Sequence, residues 1–290
     1  MPRLDREWLA DHPLPAPEAD ADKNSRGRVL AVGGCALVPG GLLLTGEAAL
    51  RAGAGKLQLA TIAAAAPGLG LAMPEAAVIP LAAGNDGEIA DPGTRLAEAL
   101  ERCDAAVAGA AMSCGDAGGR LVDAIVADAR WTGTAVLDAA ALMALHHRAK
   151  AVRARGGATV LTPHIGEMAA LLDQDAAAIE ADRQDAVRRA AGHFGAVVTL
   201  KGRNTLIAAP DGAVLVYTGG GVGLATGGSG DVLAGIVAGL AARGADPLVA
   251  TAWAVWLHGE AGRRCGERIG PIGFLARELL ALVPGLMAAP

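Results

Sequence analysis

Aromatic side chains are nearly missing from this 290-residue chain: they make up 2%, with one tyrosine and two phenylalanines. A core short of rings must be built from Ala, Val, Leu and Ile, and hydrophobic residues supply 52% of positions. Such side chains suit helices laid against a sheet buried on both faces. Cysteine is sparse too. Cys35, Cys103, Cys114 and Cys265 show no CxxC or Cys/His spacing, which excludes a four-ligand zinc site and reads as reduced thiols. Runs of Lys and Arg are absent, and 25 basic against 30 acidic residues leave a net charge of −5. A nucleic-acid footprint is therefore excluded. No apolar stretch follows a basic start, and later apolar segments are broken by Gly or charge. Neither export nor a membrane span is expected, so the expectation is a soluble, cytoplasmic protein.

The chain is long enough to bury roughly three quarters of the surface its unfolded form exposes. Residues 1–22, with three prolines and several acids between Pro13 and Asp22, read as an irregular lead-in. Residues 23–290 read as one domain. Short apolar runs there alternate with helical patterns. Strands are expected at Arg28–Val32, Lys56–Thr61, Ala76–Pro80, Ala105–Ala108, Ala135–Leu137, Thr159–Leu161 and Ala196–Leu200. Helices are expected at Leu42–Ala52, Arg95–Glu101, Ala117–Ala129, Ala139–His146 and Ala177–His193. The alternation predicts an α/β fold with a mostly parallel sheet covered on both faces. Pro210, Asp211 and Gly212 between two further strands predict an inserted hairpin. The tail reads as helices at Val232–Leu240, Pro247–Cys265 and Phe274–Leu282, with Gly244 and Gly266 at helix ends.

The most informative stretch runs from Gly219 to Asp231, ending Gly227-Gly228-Ser229-Gly230-Asp231 before an apolar helix. Glycines let the backbone approach an anion, and the free N–H groups of a helix start point at it with the dipole's positive end behind them. This predicts a cradle for nucleotide phosphates. Asp231 has two readings: a carboxylate satisfying free amides at the helix start, or a base taking a proton from a substrate hydroxyl. Lys201, Gly202, Arg203, Asn204 and Thr205 fall where a strand meets the hairpin, on the rim where open α/β sheets bind ligands. Thr162-Pro163-His164-Ile165-Gly166-Glu167 gathers a hydroxyl, an imidazole and a carboxylate on the same edge. It reads equally as a helix start capped by the threonine, with proline in its first turn. His146 and His147 read as answering a helix's negative end, and His258 as a hydrogen-bonded core residue. Gly33-Gly34-Cys35 and Pro39-Gly40-Gly41 form a second glycine-rich bend without a GxGxxG fingerprint.

Taken in order, these segments resemble the ADP-dependent NAD(P)H-hydrate dehydratase family. The matching stretches are Arg26 to Gly34, Ala48 to Gly55, Met73 to Glu75, Val136 to Asp138, Leu161 to Glu167, Lys201 to Thr205 and Ala225 to Gly235. The resemblance implies a ribokinase-like three-layer α/β/α sandwich, commonly a homotetramer. It implies an ADP-driven dehydration of hydrated NADH or NADPH, a lyase reaction of metabolite repair, with magnesium on the phosphates. It also implies that Gly228, Ser229 and Gly230 hold phosphates and that Lys201 to Thr205 hold the AMP portion. Gly41, Gly109 and His164 would hold the hydrate, and Asp231 would activate its hydroxyl. An epimerase domain, fused ahead of this domain in some members, would act as a separate partner.

Three segments depart from the family pattern. Gly109-Ala110-Ala111-Met112-Ser113 stands where Gly-Pro-Gly-Leu-Gly is usual, Leu137 to Met143 lacks an acid and an amide, and Gly220-Gly221-Val222-Gly223 lacks Asn-Pro. The same residues admit two further readings: a ribokinase-like kinase acting on a small alcohol, and a nucleotide-binding protein without catalysis.

Overall fold

Alternate residues of β1 (Arg28–Gly33) feed two separate cores: Val29 and Ala31 enter one, Leu30 and Val32 the other. That period of two is what a strand imposes on a sheet covered on both faces. The computed structural model describes residues 1–18, 20–113, 115–127 and 130–290. Its further strands are β2 (Lys56–Ile62), β3 (Ala76–Ala83), β4 (Ile89–Asp91), β5 (Ala105–Ala110) and β6 (Thr134–Leu137), then β7 (Thr159–Leu161), β8 (Val197–Leu200), β9 (Thr205–Ala208) and β10 (Val214–Tyr217). They form a sheet in the order β10-β9-β8-β7-β6-β5-β1-β2-β3-β4. From β8 across to β3 all neighbours are parallel, while β9, β10 and β4 run antiparallel at the two margins.

Helices cover both faces. They are α1 (Arg6–Asp11), α2 (Gly41–Arg51), α3 (Ala66–Ala72), α4 (Gly93–Leu100), α5 (Asp116–Val126), α6 (Ala140–Met143), α7 (Ala149–Arg153) and α8 (Ile165–Leu172), followed by α9 (Ala176–Ala181), α10 (Arg183–Phe194), α11 (Ser229–Ala242), α12 (Pro247–Arg268), α13 (Ala276–Leu280) and α14 (Val283–Ala288). One core lies under α2, α11 and α12, the other under α4, α5, α8 and α10. The expected three-layer sandwich with a mostly parallel sheet is the observed fold. Helix α11 is buried almost all round, and Gly235 and Gly239 let α2 approach closely: a β-carbon on Gly235 would stand 2.2 Å from the Thr45 carbonyl oxygen.

Several elements differ from expectation. Order begins well before Lys23. Leu4 N donates to the Val216 carbonyl, α1 is capped by Asp5, and Trp253 Nε1 donates to the His12 carbonyl. The lead-in thus supplies partners to the outer strand β10 and buries Leu4 and Leu9. The single helix expected at Ala177–His193 is two, because Asp182 leaves helical geometry to accept from Asp185 N at 3.0 Å. The helix expected at Phe274–Leu282 is shorter, α13 over Ala276–Leu280, and a separate α14 follows it from Val283 with Pro284 in its first turn. Helix α6 stops at Met143, so His146 and His147 occupy the following turn, stacked edge to face. Gly266 lies inside α12, whereas Gly244 follows α11 with φ +90° as expected. Cys35, Cys103 and Cys265 are buried free thiols; Cys114 and the end of the expected helix Ala117–Ala129 lie outside the described residues. Among the described residues no helix is long and apolar enough to cross a membrane.

Candidate active site

The carboxyl ends of β1, β5, β6, β7 and β8 meet the start of α11 along one edge of the sheet, the edge where parallel α/β sheets hold ligands. Each end delivers part of the site. Asp138 follows β6, Thr162 to His164 follow β7, and Lys201 follows β8. Sheet order places these three strands side by side, although 63 residues separate Lys201 from Asp138.

Asp138 is 3% exposed. Its Oδ1 accepts from Thr162 Oγ1 at 2.8 Å and from Lys201 Nζ at 3.0 Å. Lys201 Nζ also stands 3.8 Å from Glu167 Oε2. Burial pulls the Lys201 ammonium down, but the carboxylates of Asp138, Glu167 and Asp231 outweigh it and hold its pKa above the usual value. Glu167 in turn closes a capping box with His164: the His164 N–H donates to Oε2 at 2.8 Å, and His164 Nδ1 accepts from Glu167 N at 3.2 Å. The cap of α8 is therefore His164, not Thr162, whose hydroxyl is taken by Asp138. Because Nδ1 accepts, the ring's other nitrogen carries the proton, and the His164 side chain is 60% exposed at the rim.

Helix α11 opens at Gly228, whose φ of +86° needs a residue without a β-carbon; one placed there would also stand 2.4 Å from Leu44 Cδ1. Gly230 lies against the Lys201–Asp138 pair, with a β-carbon position 3.4 Å from Lys201 Nζ and 3.5 Å from Asp138 Oδ2. Asp231, in the first turn, accepts no hydrogen bond among the described residues, so the amide-capping reading has no geometric support. Burial first, then the Asp138 charge, push its carboxyl up to about 7, with Lys201 pulling the other way. A carboxyl poised near neutrality and left without donors is suited to general-base work.

The second bend closes the opposite side. Gly109 has φ +98°, and a β-carbon there would fall 2.1 Å from the Asp138 carbonyl oxygen. Gly41, at the start of α2, touches Ala111 of the same loop, since an added β-carbon would meet Ala111 Cβ at 2.4 Å. On the hairpin rim Gly202, Arg203 and Asn204 are exposed, while Lys201 turns inward. Three residues outside the expected site set support it. Asp138 and Glu167 flank Lys201, and Arg183 of α10 donates to the Asn204 carbonyl at 2.8 Å beneath the 201–204 turn. Asp138 and Glu167 lay in quoted motifs, but only the adjacency of β6, β7 and β8 brings them to the lysine; nothing local marks Arg183.

A glycine-opened helix start, a partly buried carboxylate in its first turn with no donor among the described residues, and a mostly parallel sheet between helix layers define a protein of the ribokinase-like class. The family model described as NAD(P)H-hydrate dehydratase matches residues 29–284. A curated ADP-dependent (S)-NAD(P)H-hydrate dehydratase of Xanthomonas campestris is 50% identical over 96% of this chain and 93% of its own length. The bifunctional NAD(P)H-hydrate repair enzyme of Moorella thermoacetica is 40% identical over 93% of the chain, which covers 51% of that larger protein. An ADP/ATP-dependent NAD(P)H-hydrate dehydratase of Bacillus subtilis, co-crystallised with ATP and Mg2+, superposes with a TM-score of 0.81 at 25% identity, over 99% of this chain and 98% of that one. The chain belongs to the NAD(P)H-hydrate dehydratase family.

Proposed function

We propose that the protein is a lyase that uses ADP to dehydrate hydrated NADH or NADPH, returning the reduced nicotinamide nucleotide. The carrying observation is Asp231: a partly buried carboxylate, without a hydrogen-bond donor among the described residues, in the first turn of the glycine-opened helix α11. A ring hydroxyl leaves poorly until it is phosphorylated. Asp231 takes the hydroxyl proton and the ADP β-phosphoryl transfers to the oxygen, leaving AMP; the carbon–oxygen bond then breaks to release phosphate, and the adjacent ring carbon gives up a proton to the departing phosphate or to water as the double bond re-forms. The N–H groups around Gly228, Ser229 and Gly230 face the charge that develops on the transferring group; in well-studied enzymes one such donor is worth on the order of 10²–10³ in rate.

Lys201 to Thr205 border the AMP portion, and Gly41, Gly109 and His164 border the hydrate. A magnesium ion on the phosphates fits the oxygens present: Asp138 Oδ2 and Glu167 Oε1 are not used by Lys201 or by the capping box. Among the described residues no group of three or more His, Cys, Asp or Glu could hold a metal. That suits magnesium, which takes one or two carboxylates and draws its remaining ligands from phosphates and water. Bound there, it would neutralise phosphoryl charge. The bifunctional repair enzymes among the relatives, of which this chain covers about half, support a functional link to a separate epimerase, and the family resemblance supports a cytoplasmic homotetramer.

The test is the 340 nm absorbance of prepared NADH hydrate incubated with the protein, magnesium and either ADP or ATP, beside Asp231→Asn. Absorbance restored only with nucleotide and Asp231 is expected. A phosphorylated alcohol that persists would instead make the protein a kinase, and ADP binding with a flat trace would leave it a non-catalytic binder.

A further inference from the structure

Ser229 heads α11 inside the phosphate cradle and is 7% exposed. Its Oγ lies 3.0 Å from Nε2 of His258, which comes from the middle of α12 rather than from the sheet edge. The neighbours of His258 on α12 press on the same segment. A β-carbon on Gly259 would stand 2.2 Å from Tyr217 Cε1, and one on Gly262 would stand 2.6 Å from Leu224 Cγ. α12 therefore meets the segment at Tyr217, Leu224 and Ser229, and His258 is where it offers a hydrogen bond to the start of α11.

Burial drives the His258 imidazole down to about 4, so the ring is neutral and carries one proton. With that proton on Nδ1, Ser229 would donate to His258 and turn only lone pairs toward an incoming anion. With it on Nε2, the ring donates to Oγ and the serine proton is left to point with the free N–H groups of α11. An anion facing the cradle selects the second arrangement, because it adds a donor where the first adds repulsion.

We infer that His258 is a positioning residue that fixes the Ser229 hydroxyl as a donor to a nucleotide phosphate. This rests on the reading of Gly228 to Gly230 as the phosphate site. The gain is pre-organisation: the hydroxyl rotor is set before the ligand arrives.

Calorimetric titration of ADP into wild type, His258→Leu, His258→Gln, Ser229→Ala and the Leu/Ala double variant tests it, with melting curves as a control. His258→Leu and Ser229→Ala are each expected to weaken ADP binding by roughly tenfold, about the value of one hydrogen bond to a charged group. The double variant should lose no more than either single one, since both remove the same donor. His258→Gln, whose amide nitrogen can stand close to the Nε2 position, should retain most of the affinity; a packing role alone would not be rescued in this way. Should His258→Leu fail to fold, His258→Asn, which is polar but too short to reach Ser229, replaces it. Affinity unchanged in both His258→Leu and His258→Asn, or losses that multiply in the double variant, overturn the inference. No ADP binding by wild type would instead sink the phosphate site itself, a result seen before any variant is compared.

Discussion

Lys201 Nζ donates to Asp138 Oδ1 across 3.0 Å, tying the end of β8 to the end of β6 directly against Gly230. The pair is a floor for the glycine-rich loop and also an electrical setting for Asp231. Asp138 raises the Asp231 pKa and Lys201 lowers it, both after the larger effect of burial. The two partners should therefore move the acid limb of the rate profile in opposite directions.

With Asp231 as base, turnover should rise with pH through about 7 and level off above it. Asp138→Asn should shift that rise to lower pH, and Lys201→Met should shift it higher. Breaking the buried pair also leaves one charge uncompensated, on the order of 3–5 kcal/mol, so the profiles are to be recorded below each variant's melting temperature. Shifts of the same sign in both variants would remove the pair from this role.

The same carboxyl gives a stability prediction of definite sign. Its folded pKa lies above its unfolded value of 3.8, so ionisation is harder in the folded state. Relative stability is full below about pH 4 and is lost progressively as pH rises through about 7. Asp231→Asn should therefore melt above wild type at pH 8, with the gap closing toward pH 4. An equal melting temperature at pH 8 would mean that Asp231 is better solvated than its burial indicates.

Gly41 and Ala111 predict a size exchange. Gly41→Ala puts a β-carbon 2.4 Å from Ala111 Cβ, with the next atoms 3.6 Å away. Ala111 holds φ +54°, a conformation that penalises a β-carbon. Gly41→Ala alone should destabilise by about 1–3 kcal/mol through overpacking. Ala111→Gly should relieve backbone strain of about 1 kcal/mol, and the double variant should recover most of what Gly41→Ala loses. Additive melting shifts in the three variants would show that the two residues do not meet.

Ala111 also marks how far the sequence could be read. Its segment departs from the family's Gly-Pro-Gly-Leu-Gly, and Ala111 stands where that pattern has glycine, at a φ of +54° that glycine adopts without penalty. The strands at Arg28, Lys56 and Thr159 were legible because short apolar runs alternating with helical patterns are local signals. The division at Asp182 was not, since the apolar pattern runs through it and only a side-chain cap breaks the helix. His164 as a cap was equally hidden, histidine being an uncommon choice there. Asp138, Glu167 and Lys201 were each legible as part of a motif. Their convergence was not, because it depends on β6, β7 and β8 lying side by side.

The final prediction concerns the altered loop itself. Ser113 N donates to Glu88 Oε1 at 3.0 Å, so a carboxylate from the turn between β3 and β4 anchors the end of the Gly109–Ser113 segment. Glu88 is 7% exposed and its Oε2 has no partner among the described residues, which makes the anchor a costly one to bury. Such a residue earns its place if the loop must be held for substrate. Glu88→Ala should raise the KM for the hydrate about tenfold through the lost hydrogen bond and a loosened loop, leaving ADP affinity unchanged because the cradle lies on α11. Glu88→Gln keeps an oxygen for Ser113 and replaces the unpartnered oxygen with an amide, so its KM should stay near that of wild type. Steady-state kinetics against hydrate at saturating ADP, beside ADP titrations, separate the two effects. A KM unmoved in Glu88→Ala would show that the loop keeps its shape without the anchor, and that Gly109 and its contact with the Asp138 carbonyl are enough to hold it.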